Sequence, residues 1–103
     1  MSMETYRMEI SENPDADELL VDVYNIDGLI EASERIAYDE YALTSTTEEA
    51  PEPRTAKATI DAIAIDVQVT RTEDAFEVRL LGDREEAAAE RIADADWGLA
   101  NVK

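Results

Sequence analysis

The run from Ala58 to Leu81 constrains the fold most, because apolar and polar residues alternate on both sides of a short polar break. Successive side chains of a strand point to opposite faces, so this alternation predicts two strands that each bury one face. The break, residues 71–74, is then the turn of a β-hairpin. The apolar face would consist of Ile63, Ile65, Val67, Val69, Phe76, Val78 and Leu80.

Residues 5–25 contain a second pair of alternating segments, separated by turn-forming residues around Pro14. Proline fixes its own φ, and the flanking Asn and Asp side chains bond to nearby backbone, so this break is typical of a turn. The pattern predicts another hairpin. Its apolar face would consist of Tyr6, Met8, Ile10, Leu19, Val21 and Val23.

Each hairpin is followed by a segment that we predict to be helical. Residues 29–43 place apolar side chains at helical spacing after a capping Asp27-Gly28, although a strand over residues 34–42 is the competing interpretation. After Gly82-Asp83, a run rich in Ala and Glu predicts the second helix, which ends near Gly98. The predicted fold class is α+β, with a four-stranded antiparallel sheet covered on one face by two helices.

The two predicted units also share sequence. Residues 34–43 aligned on residues 90–99 give five identities in ten, with Tyr41 aligned on Trp97. We therefore predict a duplicated ββα unit within a single domain, residues 1–103. The units would be residues 5–43 and 58–99, joined by residues 44–57 as an acidic, proline-containing linker or long loop.

The charge of the chain is extreme: 26 acidic residues against nine basic ones give a formal net charge of −17. Such a charge expands a folded protein in dilute buffer, but at 1 M salt the screening length is only about 3 Å. The composition resembles that of the cytoplasmic proteins of haloarchaea, which implies a high-salt solvent with K⁺ counterions. We expect a cytoplasmic protein, because the chain has no long apolar run and no basic, apolar leader at its N-terminus.

Several classes of chemistry lack their usual residues. The chain has no cysteine, no histidine and only three glycines, and it contains no phosphate-binding loop or nucleophile elbow. The acidic clusters at residues 15–18 and 94–98 do not continue into a calcium-binding loop. Basic residues are scattered singly, which argues against direct binding of nucleic acid. We expect no cofactor, no metal, no membrane contact and no catalytic residue.

The remaining candidates are interface residues, because Trp and Tyr contribute strongly to binding energy. The predicted helices would place Tyr38 on an outer face, while Tyr41 and Trp97 are favoured as core residues. The polar face of the second hairpin adds Gln68, Thr70 and Arg79.

The leading functional hypothesis is a non-catalytic accessory or regulatory protein that binds a protein partner or forms a homodimer. A second hypothesis is an acidic mimic of nucleic acid that inhibits a DNA-binding protein, for which acids should follow one face. A small enzyme that uses carboxylates is the third, and it would need a buried carboxylate in a pocket.

Overall fold

The computed structural model describes residues 3–13, 17–46 and 52–101, and nearly all of its regular structure is β-strand. A 3₁₀ turn (Tyr38–Tyr41) and a four-residue helical turn, α1 (Asp94–Trp97), are its only helical segments over these ranges. The strands are β1 (Glu4–Asn13), β2 (Glu18–Tyr24), β3 (Ile30–Ala37), β4 (Leu43–Ser45), β5 (Arg54–Ile60), β6 (Ile65–Arg71), β7 (Ala75–Gly82), β8 (Glu85–Ala93) and β9 (Leu99–Asn101).

The strands form three antiparallel sheets. The largest has the order β3-β2-β1-β5, the second has the order β6-β7-β8, and β4 pairs with β9 in a short third sheet. The inner faces of the two larger sheets share one hydrophobic core, to which Met8 and Val21 contribute from one side and Phe76 and Leu80 from the other. The architecture is therefore all-β, with two sheets packed face to face.

Both predicted hairpins are confirmed as pairs of antiparallel strands, β1 with β2 and β6 with β7. The predicted start of the second hairpin, at Ala58, is wrong, because β6 begins at Ile65. Residues 58–60 belong to β5, which pairs with β1, and Ile63 is 99 % exposed in the connection to β6. The alternation predicted the strands well because each of them buries one face only.

The predicted helices and the α+β fold class are wrong. Residues 30–37 and 85–93, expected to be helical, are strands β3 and β8, and they add a third strand to each hairpin. A strand at the edge of a hairpin has unpaired backbone N–H and C=O groups. Pairing of those groups outweighs the helix propensity of an Ala- and Glu-rich segment, because tertiary context readily overrides intrinsic propensity. The predicted ββα units therefore do not exist as such, and no helix in the described part of the chain covers a sheet.

The expected helix cap at Gly82-Asp83 is instead part of a tight turn between β7 and β8. Asp83 and Arg84 both have positive φ, 52° and 73°, as a two-residue type I′ hairpin turn requires. The Asp83 carboxylate also accepts backbone hydrogen bonds from Ile63 and Ala64, at 3.1 Å and 2.9 Å. This turn thus anchors the β5–β6 connection.

The expected linker, residues 44–57, begins within β4 and ends within β5. Its central residues 47–51 lie outside the described part of the chain, as do residues 14–16 of the first predicted turn. Within the described residues no helix combines the length and the apolar character that a membrane crossing needs.

The two halves of the chain have matching elements. β3, the 3₁₀ turn and β4 correspond to β8, α1 and β9, with residue numbers 56 higher in the second half, as for Tyr38 and Asp94. The pairing of β2 with β3 is interrupted after Val23, and that of β7 with β8 after Leu80. In the β4–β9 pair, Thr44 lies opposite Ala100, its own counterpart. The halves are therefore related by an approximate two-fold axis through this pair.

Candidate functional site

The sheets meet along two seams, and β5 makes them different. Along one seam β5 lies beside β8, and along the other β3 lies beside β6. The strand β5 is hydrogen-bonded to β1, but no strand of the described chain is hydrogen-bonded to the corresponding edge of β6. At that edge the backbone N–H of Val67 donates to the carboxylate of its neighbour Asp66, at 2.8 Å.

The β5–β8 seam is closed by Arg54. Its guanidinium donates to a Glu90 carboxylate oxygen at 3.3 Å, to the Arg91 carbonyl at 3.1 Å and to an Asp96 carboxylate oxygen at 3.1 Å. The planar guanidinium suits this arrangement because its donors form a fixed fork. One arginine therefore joins β5, β8 and α1.

The β3–β6 seam instead contains an open groove of about 330 Å³. We call it the β3–β6 groove and define it by the residues that line it, which are Glu34, Arg35, Ile36, Glu40, Tyr41, Val67, Gln68 and Val69. Aliphatic residues and an aromatic ring provide apolar surface, while two carboxylates and an amide provide acceptors. The lining suits an amphipathic side chain.

Tyr41 is the aromatic part of this lining, and it remains 37 % exposed. Its ring packs edge-on against Phe76, with centroids 5.2 Å apart, and the Arg71 guanidinium lies 4.6 Å from the Phe76 centroid. The counterpart of Tyr41 in the other half, Trp97, is only 2 % exposed. Equivalent aromatics are thus covered at one seam and accessible at the other.

The two carboxylates of the groove, Glu34 and Glu40, form no hydrogen bond or ion pair with the described residues. Glu34 lies opposite Val21, on the face of β3 that otherwise builds the core. The nearby Arg35 side chain is 75 % exposed and approaches Glu18, at 3.9 Å, rather than either of them. The groove therefore carries negative charge that the described residues do not neutralise.

The predicted interface residues are distributed over three places: the β3–β6 groove, the outer face of the three-stranded sheet and, for Tyr38 and Trp97, the core. Tyr41 and Gln68 come together in the β3–β6 groove. Thr70 and Arg79 lie together on the outer face of the three-stranded sheet, where the Arg79 guanidinium donates to the Thr70 hydroxyl at 3.2 Å. That guanidinium also pairs with two neighbouring carboxylates, those of Glu77 and Glu86, at 3.0 Å and 2.9 Å.

The prediction that Tyr38 faces outward is wrong, because its side chain is fully buried. The error follows from the mistaken helix, since the residue instead begins a turn after a strand. Trp97 lies in the core, the alternative that the sequence favoured. Sequence reasoning missed Glu34 and Glu40 as site residues, and the only signal for them is their alignment with Glu90 and Asp96.

Buried Glu12 and half-buried Arg71 lie in equivalent rows of the two large sheets. Glu12 is opposite Leu19, which is opposite Ile36; in the other sheet the equivalent row is Arg71, Phe76 and Ile92. Burial, followed by the hydrogen bond to Glu12, raises the pKa of Tyr38 well above its usual value. The Arg71 row holds an ion pair instead, in which both guanidinium contacts to Asp94 are 2.7 Å.

Acidic residues are spread over the surface rather than along one face. Asp22 and Asp66 lie on the outer faces of the two large sheets. Asp27 and Asp83 lie at the turns of one end, and Asp39 and Glu73 lie at the turns of the other end. Within residues 3–13, 17–46 and 52–101, no three acids are grouped so that they could hold a metal ion. In the second predicted cluster Asp94 pairs with Arg71, and Asp96 pairs with Arg54.

Comparisons with protein-family models, curated proteins and solved structures found no match to the chain.

Proposed function

We propose that this protein is a non-catalytic binding module that holds a segment of a partner protein in the β3–β6 groove. The observation that carries the proposal is the contrast between the seams. β5 covers one, while the other exposes Tyr41, unpaired carboxylates and the free edge of β6. An exposed strand edge beside an apolar groove is a common way of binding an extended segment, because backbone hydrogen bonds extend the sheet while side chains enter pockets.

The charge of the groove favours a basic partner over a second copy of this chain. Two copies would each carry a formal charge of −17, and Glu34 and Glu40 add unpaired negative charge where they would meet. Like charges brought together at an interface oppose association, whereas complementary potentials favour it. A homodimer is therefore the alternative occupant.

We also propose that the acidic surface adapts the protein to the cytoplasm of a cell rich in KCl. The spread of acids over both sheets and both ends supports solvent adaptation over mimicry of nucleic acid, which needs acids along one face. The matching order of elements and the matching interruptions in strand pairing support an origin of the two halves by duplication.

Site-specific cross-linking tests the binding proposal, since the chain has no cysteine and each introduced thiol is unique. Gln68→Cys places a benzophenone maleimide at the outer rim of the groove, and Thr55→Cys places one on an exposed position of β5 as the matched control. We expect an adduct with a basic protein from extract in molar KCl at residue 68 only. Equal labelling from both positions would contradict the proposal. An adduct of twice the chain mass would show that the occupant of the groove is a second copy of this chain.

A further inference from the structure

The geometry points to a more specific ligand: we propose that the β3–β6 groove is a binding site for the guanidinium group of an arginine on the partner protein. The inference rests on the proposed binding function and names the chemistry that the groove recognises. It is carried by the other seam, where equivalent residues already hold a guanidinium.

The sheets align the two seams residue by residue. In the four-stranded sheet Arg54, Ile10, Val21 and Glu34 lie opposite one another in a single row. The equivalent row of the three-stranded sheet is Val69, Val78 and Glu90. Arg54 stands beside Ile10 and reaches across its seam to Glu90. An arginine placed beside Val69 would reach across the other seam to Glu34.

The acceptors also correspond. Arg54 is held by the Glu90 carboxylate, the Arg91 carbonyl and the Asp96 carboxylate. The residues 56 positions earlier are Glu34, Arg35 and Glu40, and all three line the groove. Glu40 replaces Asp96 with a side chain one methylene longer and of the same charge. The groove therefore repeats the set of residues that binds a guanidinium in the same chain.

The remaining lining fits an arginine better than a lysine or a metal ion. Val67 and Val69 offer apolar surface for the aliphatic stem, and the accessible ring of Tyr41 offers a surface on which a planar cation can stack. An ammonium group presents a compact charge, whereas a guanidinium spreads several donors over acceptors on different elements. A metal ion would require more convergent acids than the described residues supply.

The test is an NMR titration with acetyl-Val-Arg-Val-amide, with the citrulline peptide of the same shape but no charge as its control. We expect the arginine peptide to shift the backbone amides of residues 34–41 and 67–69, and the citrulline peptide to shift them at least tenfold less at equal concentration. Glu34→Gln and Glu40→Gln should each weaken binding by about threefold to tenfold. Glu73→Gln makes the same change of charge in the exposed β6–β7 turn and should not alter binding.

Arg54→Ala provides an internal control that does not depend on the groove. Removing this side chain frees Glu90 and Asp96, so the arginine peptide should then also shift residues 90–96. Equal binding of the citrulline peptide, or unchanged affinity in both glutamine variants, would overturn the guanidinium assignment. Cross-linking at residue 68 tests the proposed binding function separately. If a partner is captured there equally well by both glutamine variants, the binding function stands and the arginine assignment is rejected.

Discussion

The Tyr38 hydroxyl donates a 2.7 Å hydrogen bond to the Glu12 carboxylate, and the equivalent residues of the other half, Asp94 and Arg71, form an ion pair instead. The two halves thus stabilise the same junction, between the end of the third strand and the first strand, by different chemistry. In one half the acid of the pair lies on the strand, and in the other it lies on the turn. Each polar group is partnered within its own half.

Removing the Tyr38 hydroxyl should destabilise the protein. Tyr38→Phe keeps the ring but removes the 2.7 Å hydrogen bond to buried Glu12, whose other carboxylate oxygen accepts a longer bond, 3.4 Å, from the Ser45 hydroxyl. We therefore expect a loss of about 1–3 kcal/mol in the free energy of unfolding. Urea denaturation in molar KCl measures this change. Tyr24→Phe, at a half-buried ring beneath Arg7, is the matched control and should change stability by less than about 0.5 kcal/mol. Equal effects would show that the Tyr38 hydrogen bond is not stabilising.

Alkaline pH should weaken the fold through two tyrosines. A hydrogen bond to Glu4, together with burial, raises the pKa of Tyr6 to about 12, and burial raises that of Tyr38 as well. The folded state then holds these protons more tightly than the unfolded state, whose tyrosines ionise near pH 10. Stability should therefore be full below about pH 10 and fall as the pH rises towards 12. Urea titrations at each pH should show a smaller fall for Tyr6→Phe, and parallel curves for variant and wild type would contradict this.

The Arg71–Asp94 pair should persist in high salt, whereas an exposed pair should not. Its side chains are 17 % and 19 % exposed, while those of Arg91 and Asp74 are 53 % and 75 % exposed. A double-mutant cycle with Arg71→Met and Asp94→Asn should give a coupling energy of about 1–3 kcal/mol in molar KCl. The same cycle with Arg91→Met and Asp74→Asn should give less than about 0.5 kcal/mol. Similar couplings would mean that burial does not protect the pair.

Two equivalent positions after the helical turns should respond oppositely to exchange of Ala and Gly. Ala42 and Gly98 both have left-handed backbone, with φ of 55° and 63°. This conformation costs a residue with a Cβ about 1 kcal/mol relative to glycine. Ala42→Gly should therefore raise the thermal midpoint and Gly98→Ala should lower it, each by a few degrees. A shift in the same direction for both would argue against equivalent geometry.

Lowering the KCl concentration should unfold the protein. At about 0.1 M salt the screening length grows to about 10 Å, so neighbouring surface carboxylates repel one another. With a formal charge of −17, we expect the strand signal in circular dichroism to decrease as KCl falls from molar to about 0.1 M. NaCl at equal ionic strength controls for a specific effect of K⁺. An unchanged spectrum would reject the salt-adaptation proposal.

The parts of the fold that could be predicted are those in which side-chain alternation is uninterrupted. It revealed β1, β2, β6 and β7 but failed for β3 and β8, where Glu34 and Glu90 occupy inward-facing positions. Glu90 is accommodated there by Arg54, a residue of a distant strand, which local pattern cannot reveal. Without that partner the segments resemble helices rich in Ala and Glu.

The candidate site was predictable only in fragments. Tyr41 and Gln68 were singled out separately for their residue types, but the mistaken helices gave no reason to place them together. The groove depends on which sheet edge β5 covers, and that pairing joins strands far apart in sequence. Carboxylates were too numerous for any one of the 26 acids to stand out.

The short β4–β9 pair has a consequence for how the protein is made. Because β9 lies 56 residues after β4, the ribosome must synthesise that intervening stretch before β4 can acquire its partner. At typical rates of translation this takes roughly 3 to 11 seconds, far longer than a hairpin needs to form. The first three strands can thus pair while the chain is still growing, but the junction between the halves closes only after β9 has been made.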